Sequence, residues 1–236
     1  MEIKTLLSES AKALGLVLDE QMLKRFSLYG DLLLEWNEKI NLTAIKQPEE
    51  IAIKHFVDSL TLLSVYTLPQ GARVIDVGTG AGFPGVPLKI VRPDLQLTLL
   101  DSLNKRLIFL QDLLEKLELQ ADCVHLRAEE GGLKPELRER FDLATSRAVA
   151  NLNLLAEYCL PYVKVGGIFA AMKGPDTDEE LSQAQNAIQL LGGRLQEKNQ
   201  LVLPDGSGRT ILLIKKVTAT PQKYPRHGGK IAKKPL

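Results

Sequence analysis

The 236-residue chain has only two cysteines, Cys123 and Cys159, and no C-x-x-C spacing. That excludes a disulfide framework and a thiolate metal site, and both thiols are expected to be buried structural ones. No apolar run approaches the roughly 20 residues that a membrane-crossing helix needs, and Met1 to Lys12 lacks the apolar core of a secretion signal. The expectation is a cytoplasmic protein with no membrane partner and no metal. Net charge is nearly absent as well, at +1, and no internal repeat is visible. The small total hides an asymmetry. Residues 217–236 hold Lys223, Arg226, Lys230, Lys233 and Lys234 with no acid, so the tail is +5 and the remainder −4. Its prolines and glycines lead to the expectation that this tail does not pack. Basic arms of that kind commonly meet phosphates, and a solvated end is the plainer reading.

What is present is a composition of 44% hydrophobic and 25% charged residues, that of a globular chain long enough for one α/β domain plus an appendage. The stretch Val74-Ile75-Asp76-Val77-Gly78-Thr79-Gly80-Ala81-Gly82-Phe83-Pro84-Gly85 organises it. A short apolar run with one acid reads as a buried parallel strand, and the glycines read as a sharp turn into a helix where a ligand approaches the backbone. Two cofactors suit this turn. Gly80, Gly82 and Gly85 match the dinucleotide spacing G-x-G-x-x-G, with Asp101 downstream for a ribose hydroxyl. Asp76, Gly78, Gly80 and Gly82 match the D-x-G-x-G-x-G turn of S-adenosylmethionine-dependent methyltransferases, again with Asp101 on the ribose. The second reading is preferred on physical grounds. A pyrophosphate needs free N–H groups at the helix start, where Pro84 and Pro87 each remove one. Asp76 would repel a pyrophosphate but attract the ammonium of S-adenosylmethionine.

The organisation follows from the periodicity. Residues 1–70 read as a helical region separate from the sheet: Asp19 caps one helix with Met22, Phe26, Tyr29, Leu33 and Trp36 on its apolar face, and Pro48 opens another. The polar connector between them holds Asn37 and Asn41, suited to turn chemistry or to substrate contact. His55 and Asp58 are expected to form a hydrogen-bonded surface pair. Residues 71–216 alternate strand and helix and end in an antiparallel hairpin over Arg194–Leu203 and Arg209–Lys215. Such a seven-stranded, mostly parallel α/β sheet is Rossmann-like, in the manner of class I methyltransferases. Residues at the carboxyl ends of its strands, Asp76, Asp101, Ala128 with Glu129, Arg147 and Lys173, then converge on one crevice. Arg147, ahead of the small residues Ala148-Val149-Ala150, faces the methyl donor or a phosphate, or else pairs with Glu129 or Asp76.

With these residues laid out, the chain resembles the bacterial RsmG family, also called GidB. The resemblance rests on Trp36-Asn37-Glu38-Lys39-Ile40-Asn41-Leu42-Thr43, His55-Phe56-Val57-Asp58-Ser59-Leu60, the glycine turn through Pro87, and Leu100-Asp101-Ser102-Leu103-Asn104-Lys105-Arg106. It continues through Ser146-Arg147-Ala148 and Met172-Lys173-Gly174. It implies transfer of a methyl group from S-adenosylmethionine to N7 of a guanine in the 530 loop of 16S ribosomal RNA, within the small subunit or its precursor, by a monomer. It implies that Gly78, Phe83, Ala128, Glu129 and Arg147 bind the cofactor and that Asp101 with Ser102 holds its ribose. Arg147 and Lys173 are expected to orient the substrate, with no general base. One departure is that His227 and Ile231 stand in the tail where the family often has a basic residue and a proline. A small-molecule methyltransferase, an NAD-dependent oxidoreductase and a non-catalytic RNA-binding module are the competing classes.

Overall fold

The computed structural model describes residues 3–147 and 150–236. Seven strands, β1 Arg73–Val77, β2 Gln96–Asp101, β3 Asp122–His125, β4 Phe141–Arg147, β5 Val163–Lys173, β6 Gly193–Val202 and β7 Gly208–Lys216, form one sheet in the order β3-β2-β1-β4-β5-β7-β6. Strands β1 to β5 pair in parallel, and β7 runs antiparallel to both its neighbours. The expected closing hairpin is there, with its second strand inserted between β5 and the edge strand β6. This is the expected Rossmann-like arrangement. Strand β1 is central and covered on both sides: Val74 packs with the core on one face, Ile75 and Val77 with the core on the other. Burial on both faces is why this strand reads as an unbroken apolar run interrupted only by Asp76.

One face carries α1 Ile3–Ala13, α2 Glu20–Asn37, α3 Pro48–Ile51, α4 Asp58–Val65, α5 Gly85–Val91 and α6 Asn104–Lys116. Asp19 caps α2 by accepting from the Met22 N–H at 2.8 Å, as the sequence suggests. A π-helical turn, Ala52–Val57, joins α3 to α4 in place of a plain helix. Phe26, Leu33, Phe56 and Leu60 belong to the same buried cluster as Val74, Leu97 and Leu143 of the sheet. The N-terminal helices are therefore not separate from the sheet, as their sequence position suggests. Their apolar stripe needs a complementary surface, and this sheet face supplies it. The opposite face carries α7 Ala128–Gly131, α8 Leu152–Cys159 and α9 Asp178–Leu190. Cys159 is fully buried there, whereas Cys123 is half-buried, and both are free thiols.

The tail packs, contrary to the expectation from its composition. Arg138 donates to the carbonyls of Gly132, Thr220 and Tyr224 at 2.8 to 2.9 Å. The fully buried Lys216 donates to the Leu160 carbonyl and the Thr220 hydroxyl, both at 2.7 Å. Arg226 forks onto Glu157, whose side chain is wholly buried, with Nη2 2.6 Å from Oε2. Beyond it a short helix, α10 Gly228–Lys233, buries Ile231 completely. Proline removes a backbone donor but leaves its carbonyl, and cationic side chains seize the carbonyls of this tail; composition therefore misleads.

Removing one partner from a buried ion pair leaves the other charge uncompensated. Arg226→Ala is expected to lower stability by about 3 kcal/mol in denaturant unfolding and to expose Lys230, Lys233 and Lys234 to trypsin while the sheet resists. Unchanged stability together with an uncut tail would contradict this docking.

Candidate active site

The parallel strands deliver their carboxyl ends to one rim, and the glycine turn crosses it between β1 and α5. A cavity of about 500 Å³ opens above the turn. Gly78, Gly80 and Phe83 line it from the turn itself, and Asp101 and Ser102 from the end of β2. Ala128 and Glu129 at the start of α7 and Arg147 at the end of β4 complete the set, so eight of the expected residues surround one space. Lys173 lines an adjoining cavity of about 350 Å³ that shares His55 and Arg147 with the first. The small residues expected to turn the chain after Arg147 include positions 148 and 149, which lie outside the described residues.

Two expected residues sit beneath the turn. Gly82 has φ +97°, and a Cβ there would come 2.6 Å from the Tyr29 hydroxyl and 2.9 Å from Leu110 and Val86 side chains. Its lack of a side chain lets α2 and α6 close on the turn rather than admitting a ligand. Asp76 is wholly buried; its Oδ2 accepts from the Thr79 hydroxyl at 2.7 Å and the Gly85 N–H at 2.9 Å, and its Oδ1 has no partner among the described residues. Burial raises its carboxyl to about 6, against those two hydrogen bonds. Asp101 closes the turn from the next strand, accepting from Gly80 N–H on Oδ2 and Leu103 N–H on Oδ1, each at 2.9 Å.

Arg147 pairs with neither Glu129 nor Asp76. Its Nη1 donates to the Asp58 carboxylate at 2.8 Å and the Lys54 carbonyl at 2.9 Å, and its Nη2 to His55 Nδ1 at 3.1 Å. The guanidinium carbon lies 5.0 Å from the centre of the Phe83 ring. Asp58 in turn accepts from Arg209 Nε on β7 at 3.0 Å. The expected surface pair of His55 and Asp58 is thus a half-buried and a buried acceptor, both turned onto Arg147. With Nδ1 accepting, the His55 proton belongs on Nε2, which lies 2.8 Å from the Thr43 hydroxyl. Burial and then the Arg147 charge depress His55 to about 3. Its ring stacks on Phe83 at 4.5 Å, and Tyr29 stacks on Phe83 at 5.2 Å while donating to the Ala81 carbonyl at 2.5 Å. Of the two connector asparagines, Asn37 does turn chemistry: its amide holds the Leu42 and Thr43 backbone. Lys173 is held by Glu180 at 2.6 Å and the Ala150 carbonyl at 2.7 Å.

Sequence reasoning placed Tyr29 in the core without its hydroxyl's role, and did not find Arg209 or Asp58 as partners of the site. An acid inside the apolar run Phe56-Val57-Asp58-Ser59-Leu60 was the one signal of a buried charge seeking a cation.

The shifted groups oppose each other in acid. His55, depressed, contributes stability that is lost as pH falls below about 6.5 towards 3, whereas Asp76, raised, costs stability as pH rises from about 4 to 6. Asp76→Asn removes only the second effect. Its stability should therefore gain on the wild type by about 2 kcal/mol between pH 4 and pH 6.5 in urea unfolding; parallel pH profiles would contradict the buried, raised carboxyl.

A family described as rRNA small subunit methyltransferase G, GidB, matches residues 22–206. A protein of that name from Desulforamulus reducens is 51% identical over 98% of this chain and 97% of its own length. Another, from Alkaliphilus metalliredigens, is 49% identical with both chains covered in full. Among solved structures, a putative methyltransferase from Bacillus halodurans has a TM-score of 0.55 at 16% identity, covering 68% of this chain and 99% of that one. A SAM-dependent O-methyltransferase from Thermotoga maritima has a TM-score of 0.52 at 17% identity, covering 80% of this chain and 72% of that one. Those two likenesses show the class I methyltransferase fold; with the matches along its length, the chain belongs to the GidB family, rRNA small subunit methyltransferase G.

Proposed function

We propose that this protein transfers a methyl group from S-adenosylmethionine to N7 of a guanine in the 530 loop of 16S ribosomal RNA. The donor set fits that cofactor. Asp101 accepts from Arg106 on Oδ2 at 3.3 Å besides its two backbone bonds, and its Oδ1 keeps a lone pair for a ribose hydroxyl. Glu129 offers an acceptor at the far end of the same cavity. Asp76 lines neither cavity, but its carboxylate beneath the turn attracts a ligand ammonium seated above it. When bound, S-adenosylmethionine supplies an electrophilic methyl group on a sulfonium.

The observation that carries the reading is the state of the bases beside Arg147, where the two cavities meet. His55 has one acceptor nitrogen, and Arg147 occupies it. Asp58 is taken by two guanidinium groups. A nucleophile that must lose a proton, such as a hydroxyl or an exocyclic amine, finds no prepared base there. Guanine N7 carries an in-plane lone pair and no proton, and so requires none. The work left to the protein is alignment and electrostatics. Three of the five Arg147 N–H groups are turned onto protein acceptors, which fixes the guanidinium in place, and Lys173 keeps one N–H beyond its two partners among the described residues for a substrate acceptor. In A-form RNA the major groove is too deep and narrow for side chains, so N7 is reached in a loop or on an unstacked base. The substrate in this reading is the small subunit or its precursor, met by a monomer in the cytoplasm. No described helix is long and apolar enough to cross a membrane.

The test is labelled methyl transfer from S-adenosylmethionine to small subunits lacking their own modifications, followed by mapping of the base. Label on a guanine N7 is expected, with Arg147→Ala slower by about 100-fold because the substrate is misplaced. No transfer to subunits, free ribosomal RNA or its precursor would refute the substrate, and label on an oxygen would refute the chemistry.

A further inference from the structure

The docked tail packs against a residue that lines the cavity as well as against the core. At Gly228, the first residue of α10, a Cβ would overlap the Glu129 Oε1 and stand 2.8 Å from its Cδ. Glu129 is 9% exposed and lines the cavity beside Ala128 and Tyr158. Two further contacts bind the tail to the same corner. A Cβ on Gly132, just past α7, would meet Pro225 at 3.1 Å, and Arg138 clasps the Gly132 and Tyr224 carbonyls together. From behind, the Tyr162 hydroxyl donates to the Ala128 carbonyl at 2.6 Å. The α7 corner is therefore enclosed by protein on both sides, and the tail is one of them.

We propose that the C-terminal segment backs the Glu129 wall of the cofactor site and that Gly228 is a positioning residue for the Glu129 carboxylate. The inference rests on reading the cavity as the S-adenosylmethionine site. A carboxylate accepts hydrogen bonds and adenine presents an exocyclic amine donor. Glu129 is the acceptor nearest the tail, and the missing Cβ at position 228 is what allows its carboxylate to lie where it does. Its carboxylate is held largely out of water, where a charge-assisted hydrogen bond is stronger. The backbone at Gly228 is not left-handed, so alanine adopts it without strain. The atom in its way is the mobile end of Glu129, so the substitution moves the carboxylate and little else.

Calorimetric titration with S-adenosylhomocysteine on the full chain tests this in a cycle of Gly228→Ala, Glu129→Ala and the double variant. Gly228→Ala should weaken binding about tenfold or more with its melting temperature unchanged, and should add nothing once Glu129 is alanine. Wild-type affinity in Gly228→Ala would overturn the proposal. So would losses that add in the double variant, which would make the effect of residue 228 independent of the carboxylate. Failure of the wild type itself to bind S-adenosylhomocysteine would be a different result, removing the cofactor reading beneath it.

Discussion

The Arg147 guanidinium, with 12% of its side chain exposed, is held by the Asp58 carboxylate at 2.8 Å, and the rim of the sheet is arranged around that pair. A cation so desolvated is costly unless paired, and the pair must also satisfy its remaining hydrogen bonds. The Lys54 carbonyl, His55 and the Phe83 face complete the set. Asp58 sits in the N-terminal helices, Arg147 at the end of β4, and Arg209, the other partner of Asp58, on β7. One carboxylate thus ties three distant parts of the chain at the place where two cavities meet. The pair also decides the chemistry. It occupies Asp58 and His55, the acceptors beside it that would otherwise serve as bases, leaving this junction suited to a nucleophile that is ready as it arrives.

Beneath it, the glycine turn divides its labour between ligand and core. Gly78 and Gly80 face the cavity, and the Gly80 N–H fastens the turn to Asp101 on the neighbouring strand. Gly82 and Gly85 face inward, where a side chain would strike Tyr29 and Asp76 respectively. Asp76 binds the turn to the start of α5 through Thr79 and Gly85, at the cost of a carboxylate left half-satisfied in the interior. The conformation of the turn therefore depends on α2 packing through Tyr29, so the N-terminal helices belong to the site.

Local pattern made much of this legible. The run Val74–Val77 and the glycines mark a strand and a turn whatever lies elsewhere, and Asp101 follows from the strand-end rule. Strand limits read from the pattern fall within a residue: Arg194–Leu203 and Arg209–Lys215 are expected, and Gly193–Val202 and Gly208–Lys216 found. The partners of Arg147 were beyond reach because Asp58 lies 89 residues away and no periodicity links them. Glu129 and Asp76 are the acids the sequence offers that arginine, and tertiary packing chooses Asp58 instead. The π-helical turn carrying His55 has no composition signature either. The tail misled for another reason. Proline, glycine and lysine argue against a helix or strand, but a chain can be ordered through its carbonyls, and Arg138 lies 82 residues from the Thr220 carbonyl it holds.

The site works by alignment, with the bases beside Arg147 already occupied. The most direct test is the pH dependence of methyl transfer in a single turnover, with saturating S-adenosylmethionine and small subunits, for the wild type and for His55→Gln. The account predicts a rate that is flat from pH 6 to pH 8.5 in both proteins, His55→Gln being slower by a constant factor because Arg147 is less well held. A wild-type rate that rises tenfold per pH unit near neutrality, with the rise abolished in His55→Gln, would show a working base and contradict it.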